Sequence, residues 1–90
     1  MYYKVKLTVE SVKGECAAGY KEGDVIAYEE PCLSAAGNGG KICLYALSAF
    51  LPYLSAYGRE TASDDWVNSL FQLQCPDAKN TVTFAVERSE

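Results

Sequence analysis

Cysteine is the residue type with the most chemistry to offer in this sequence. Four are present, Cys16, Cys32, Cys43 and Cys75, in a 90-residue chain that has no histidine. A thiolate can serve as a nucleophile, a redox partner or a ligand for a soft metal. No Cys-x-x-Cys pair occurs. The spacings of zinc ribbons, thioredoxin-like dithiols and the common cluster-ligand runs are therefore all missing. The lack of histidine excludes Ser-His and Cys-His nucleophilic catalysis within one chain, and it removes the commonest zinc ligand. Cys43 has the best placement for reactivity, because it falls in the first turn of a helix, where a thiolate is favoured, and Lys41 adds positive charge nearby. Against this stands the ordinary behaviour of free cysteine as a small, buried hydrophobe. Inert packing, a reactive thiol, metal binding and a structural disulfide all stay open at this level.

The other motifs are weaker. Gly37-Asn38-Gly39-Gly40-Lys41 ahead of a helix suggests a phosphate loop, but that motif needs glycine where Ala35 stands and Ser or Thr where Ile42 stands. A flexible connector is the expectation. Glu29 with Glu30 and Asp64 with Asp65 are sequence neighbours, and neighbours diverge on a strand or a helix, so neither pair forms an acid/base dyad. They read as solvated carboxylates. Seven tyrosines are many for this length. Tyr45 and Tyr53 fall off the main apolar stripe of their helix and are expected to be partly exposed, as aromatic residues at a dimer contact would be.

Composition narrows the class further. The chain is 49% hydrophobic and 22% charged, with a formal charge of −4, which is the make-up of a folded domain rather than a disordered tail. It carries no basic cluster of the sort that binds polyanions, so no nucleic-acid partner is expected. Ile42 to Gly58 is free of charge, but this run is short for a membrane span and includes Ser48, Pro52 and Ser55. A core helix is the better reading, and no membrane partner is expected. The opening Met1-Tyr2-Tyr3-Lys4-Val5-Lys6-Leu7 alternates like a strand instead of presenting an export signal. A cytoplasmic, reducing location with free thiols follows.

The elements that must position these residues can be read from periodicity. Residues 3–12 place Val5, Leu7 and Val9 on one side and Lys4, Lys6, Thr8 and Glu10 on the other, which is a half-buried strand. A loop marked by Gly14, Gly19 and Gly23 follows, then a short strand over 24–28. Residues 29–40 hold Pro31 and three glycines and read as irregular. Residues 41–57 are the clearest helix, with Cys43, Ala46, Leu47, Phe50, Leu54 and Tyr57 along one face and Gly58 as the stop. Pro52 predicts a kink, or a restart with Pro52 in a first turn. Ser63 with Asp64 and Asp65 suits the cap of a short helical turn. Residues 69–74 and 81–87 then form a hairpin joined by the turn-rich Cys75–Asn80 segment.

Three segments carry a family resemblance: Gly14-Glu15-Cys16-Ala17-Ala18-Gly19-Tyr20-Lys21-Glu22-Gly23-Asp24; Ile42-Cys43-Leu44-Tyr45-Ala46-Leu47 with Leu51-Pro52-Tyr53; and Gln74-Cys75-Pro76-Asp77 with Val82-Thr83-Phe84. Over residues 3–88 the chain resembles the TIGR04076 family of small prokaryotic proteins. The resemblance aligns Cys16, Cys43 and Cys75 with motif cysteines and leaves Cys32 outside the motif. Where the family commonly has proline after the first cysteine and histidine before the lysine, this chain has Ala17 and Tyr20. The resemblance implies no activity, substrate or cofactor.

The expectation is a single α+β domain over residues 1–90, with about four mostly antiparallel strands packed on one main helix in the order ββαββ. Its core should contain Val5, Leu7, Val9, Val25, Leu47, Phe50, Leu54, Phe71, Leu73, Val82, Phe84 and Val86. A non-catalytic accessory or interaction protein is expected rather than an enzyme, with a homodimer through a sheet edge or the exposed tyrosines as one form of that interaction. The alternative is a thiol-based redox or metal-binding protein centred on Cys43 with Cys16 and Cys75. Each of these three cysteines ends or begins an element, so a helix crossing the sheet with its N-terminus at those ends would bring the three sulfurs together. A metal there would need a fourth ligand from Asp24, Asp77, Cys32 or water. The expectation is reduced thiols with no metal and no cofactor.

Overall fold

The computed structural model of the chain describes residues 2–90. Five strands form one sheet: β1 (Lys4–Val12), β2 (Val25–Glu29), β3 (Cys32–Ala36), β4 (Gln72–Gln74) and β5 (Val82–Ser89). Their spatial order is β3-β2-β1-β5-β4, and every neighbouring pair is antiparallel. The helix α1 (Leu44–Tyr57) joins β3 to β4. Those strands are the two edges of the sheet, so the connection must cross the whole sheet, and α1 covers one face as it does so.

Alternation along the strands decides which face that is. Val5, Leu7 and Val9 of β1, Ile26 and Tyr28 of β2, and Val82, Phe84 and Val86 of β5 are buried together with Ala46, Phe50, Leu54 and Tyr57 of α1. Burying Phe50 or Leu54 contributes roughly 1.5–3 kcal/mol each. Phe84 has no exposed surface and stands edge-on to both Tyr20 and Phe50, with ring centroids 5.4 and 5.3 Å away. The other face carries Lys4, Lys6, Val25, Ala27, Glu29 and Glu87 around an open depression of about 430 Å³. Lys6 and Glu87 approach to 4.0 Å there, an exposed pair of small energetic value.

Both ends of α1 are tied to other elements. Its C-terminal carbonyl at Tyr57 accepts from Arg88 Nη1 at 2.8 Å, which satisfies a group that the helix itself leaves unpaired. The Arg88 guanidinium also lies 4.6 Å from the ring centroids of both Tyr3 and Tyr57. After the helix, Asp65 accepts from the Val67 N–H at 3.0 Å and starts a 3-10 turn over Trp66–Ser69 that buries Val67.

The sheet has five strands, not four, and the order is βββαββ. Residues 32–36, expected to be irregular, pair with β2 from Glu29↔Cys32 to Val25↔Ala36. Cys-Leu-Ser-Ala-Ala has little strand propensity of its own, and its pairing partner, not its composition, makes it a strand. Val25 faces the open side, because Leu7 pairs with Ile26 and sets β2 one residue away from the expected register. Phe71 is 68% exposed, since Val67 and Leu70 fill the space it was expected to occupy. Leu47 is half-buried, and Ala46 takes the central position. Helix α1 begins at Leu44 instead of Lys41 and continues through Pro52 without a restart. The carbonyl of Ser48 that Pro52 cannot serve lies on the exposed side, where water can reach it.

Candidate functional site

Cys16, Cys43 and Cys75 line a single cavity of about 330 Å³, together with Ala17, Ala18, Tyr45, Pro76, Asp77 and Asn80. Three separate segments build it: the loop after β1, the start of α1, and the turn between β4 and β5. All three thiols are free and half-buried. Cys32 is also free, but it is exposed on edge strand β3 and takes no part in the cavity.

Each wall has a local cause. The first loop folds back through the Gly19 N–H, which donates to the Cys16 carbonyl at 2.9 Å, and the Glu15 N–H donates to Asn80 Oδ1 at the same distance. Cys43 is the N-cap residue of α1. Its carbonyl accepts the Leu47 N–H at 3.0 Å, and its side chain makes no capping bond. Tyr20, expected to be a loop residue and omitted from the expected core, is buried below this point. Its hydroxyl accepts the Cys43 N–H at 2.9 Å. Burial raises the Tyr20 hydroxyl above its ordinary range, the Cys43 amide opposes this, and negative charge at Cys43, Cys16 or Asp24 would add to it. The hydroxyl is therefore neutral at ordinary pH. A buried tyrosine inside a glycine-marked loop leaves no periodic signal, which is why sequence reasoning missed it.

Cys75 has its hydrogen bonding used locally. Its Sγ accepts the Val82 N–H at 3.2 Å and donates to the Asn80 carbonyl at 3.6 Å. Asp77 accepts from the backbone N–H groups of Asn80 and Lys79 at 3.0 and 2.9 Å. Those amides hold its carboxyl below the usual carboxylate range, that of Asn80 first. Asp77 is thus an ionised turn-former, not a proton carrier. Among the described residues, no three Cys, Asp or Glu side chains gather closely enough to hold a metal ion.

The glycine loop has a packing explanation. Residues 38–40 make a 3-10 turn, and a Cβ at Gly37, whose φ is +91°, would lie 2.4 Å from Asp24 Oδ1. Asp24 in turn accepts the Lys21 N–H at 2.9 Å. Glu30 accepts from the Tyr28 hydroxyl. The neighbouring carboxylates at 29–30 and 64–65 form no dyad.

A second feature adjoins the cavity at Tyr45. No charged residue occurs between Ile42 and Gly58, so the outer side of α1 is uncharged, with Ser48 and Ser55 among its apolar and aromatic residues. Leu44, Tyr45, Leu51 and Tyr53 are exposed, Leu44 by 67% and Tyr45 by 72%. Trp66, 65% exposed, meets Tyr53 edge-on with centroids 6.0 Å apart, and it shares a shallow depression with Phe71. Among the described residues, no helix is long and apolar enough to cross a membrane. Compared with protein-family models, with curated proteins and with solved structures, the chain matches none.

Proposed function

We propose that this protein is a non-catalytic accessory or interaction module whose docking face is the outer side of α1, continued by Trp66 and Phe71. One observation carries this reading: a helix without a single charge exposes Leu44 and Leu51 on one flank, and on the other flank Tyr53 meets exposed Trp66, which shares a depression with exposed Phe71. Isolated apolar residues on a surface need no explanation, but a contiguous patch of large ones marks an interaction site. Aromatic residues are the type most enriched at such sites.

The single tryptophan gives a direct test. In the free protein Trp66 should emit as a water-exposed indole, with a blue shift and slower acrylamide quenching once the face is covered. A Leu44→Glu, Leu51→Glu variant should keep the parent's melting temperature, since both side chains are exposed, and should lose the parent's native associations on gel filtration. A variant that retained them all would exclude this face as the docking surface.

The three-thiol cavity supports a second reading, a thiol-based activity centred on Cys43. Competitive alkylation followed by mass spectrometry would test it. Labelling of Cys43 much faster than exposed Cys32 would favour a reactive thiol, and labelling slower than Cys32 would leave packing as its role.

A further inference from the structure

The wall of the three-thiol cavity limits what could enter it. Besides the cysteines it is built by Ala17, Ala18, Pro76 and the Tyr45 ring, so its lining is largely apolar and polarisable. The side-chain oxygens at its rim are already engaged. Asp77 Oδ1 accepts from the amides of Lys79 and Asn80, and Asn80 Oδ1 accepts from that of Glu15. We propose that this cavity takes a neutral, apolar α,β-unsaturated ketone or aldehyde and that Cys43 adds to its double bond. This rests on the reading of Cys43 as a reactive thiol.

Hydrogen bonding singles out the sulfur. Cys75 Sγ both accepts and donates within its own turn. Cys43 stands at the N-cap, where a side chain ordinarily serves the amides of the first turn, and its Sγ makes no such bond. The Cys43 N–H goes to Tyr20, and the Leu47 N–H goes to the Cys43 carbonyl. Between them the N–H groups of Leu44, Tyr45 and Ala46 have no acceptor among the described residues. A conjugated carbonyl oxygen bonded to these donors sets its β-carbon, three bonds away, beside Cys43 Sγ. The same donors then stabilise the enolate oxygen that addition creates. In that step the sulfur bonds to the β-carbon, and the π pair moves toward the α-carbon and oxygen. The thiol proton, passed through water, ends on the α-carbon. The product is a saturated thioether, and no oxidant or reductant is consumed.

Charge and size narrow the ligand. Asp77 is ionised at the rim, held so by the amides of Asn80 and Lys79, and it repels a second anion. A carboxylate or phosphate is therefore disfavoured in spite of the free amides, and a neutral carbonyl is not. The volume is about 330 Å³, against roughly 30 Å³ for a water molecule in the liquid. That is room for a chain of roughly ten non-hydrogen atoms lying along Ala17, Ala18 and Pro76.

Three probes test this on the full, reduced chain: nonenone, a straight-chain enone; nonanone, its saturated and unreactive analogue; and methyl vinyl ketone, the reactive end alone. Peptide mass spectrometry follows the adduct at each cysteine, with exposed Cys32 as the internal reference. Nonenone should add to Cys43 about tenfold or more faster than to Cys32. With methyl vinyl ketone that preference should fall to about threefold or less, and excess nonanone should abolish it. Leu44→Pro removes one free donor at a position where proline suits a helix. It should slow addition at Cys43 about threefold or more at an unchanged melting temperature, while Leu44→Ala, which keeps the amide, should not. Equal preference for both enones, or no protection by nonanone, would overturn the ligand class. If iodoacetamide still labelled Cys43 faster than Cys32 in that case, the reactive thiol would stand and only its ligand would be lost. Cys43 slower than Cys32 with both reagents would remove the two together. A folded Leu44→Pro variant that reacts at the parent's rate would overturn the placing of the carbonyl on the helix amides.

Discussion

The hydroxyl of Tyr20 accepts the backbone N–H of Cys43 at 2.9 Å. That one bond fixes the glycine-marked loop after β1 to the start of α1, and it satisfies an amide at a helix terminus that the helix cannot satisfy itself. The ring beneath it packs edge-on against Phe84. The same side chain therefore joins the cavity to the core.

Tyr20→Phe keeps the ring and removes the acceptor. We expect a loss of about 1–3 kcal/mol in urea unfolding, the cost of leaving a part-buried amide unpaired. Cys43 should also alkylate faster relative to Cys75, whose own bonds to Val82 and Asn80 are untouched. Unchanged stability and unchanged labelling would show that water replaces the phenol without loss.

Phe84→Ala tests the centre of the core. Phe84 has no exposed surface and lies between Tyr20 and Phe50, so the cavity left behind has rigid walls. A cost of about 3–5 kcal/mol is expected, a large part of the stability of a domain this small. A midpoint in urea close to the parent's would contradict the inward register of β5.

Alkaline pH should unfold the protein through its buried tyrosines. Tyr28 is pushed up to about 12 by burial first and by the Glu30 carboxylate second. Burial also raises Tyr57, against the opposing charge of Arg88. A phenol that holds its proton more tightly when folded stabilises the fold fully below pH 10. That stabilisation is lost as pH rises from the unfolded value of 10.0 toward about 12. Thermal melts across this window should fall steadily, and Tyr28→Phe should flatten the fall. An equally steep fall in the variant would assign the effect to other groups.

Some of this arrangement was legible from residue order and some was not. β1, β5 and α1 announce themselves because one face of each is apolar at the period of its element, as with Val5, Leu7 and Val9. β2 reads Val25-Ile26-Ala27-Tyr28, apolar on both faces, so periodicity cannot choose its inward side, and pairing of Ile26 with Leu7 makes the choice. β3 is a strand only because β2 offers it a free edge. The cysteines could be placed at element ends from sequence, but their meeting in one cavity depends on α1 crossing the sheet between its two edges. Tyr20 gave no signal, because its role is set by long-range contacts with Cys43 and Phe84.

Gly14 is where the cavity is most sensitive to a small change. Its φ is +79°, and a Cβ there would lie 2.4 Å from Asn80 Oδ1 and 2.8 Å from the Lys79 carbonyl oxygen. The Asn80 oxygen cannot retreat without loosening its bond from the Glu15 N–H, and the Lys79 oxygen is backbone. Gly23 is the matched control, since its φ is +91° but a Cβ there meets nothing within 4 Å. Gly23→Ala should cost about 1 kcal/mol from backbone conformation alone. Gly14→Ala adds the clash and should cost about 1–3 kcal/mol more. It should also separate the 14–18 loop from the 75–80 turn, so that Cys16 and Cys75 alkylate faster while exposed Cys32 keeps its rate. Equal losses for the two alanine variants, with unchanged labelling, would mean that the contact between Gly14 and Asn80 does not hold the cavity closed.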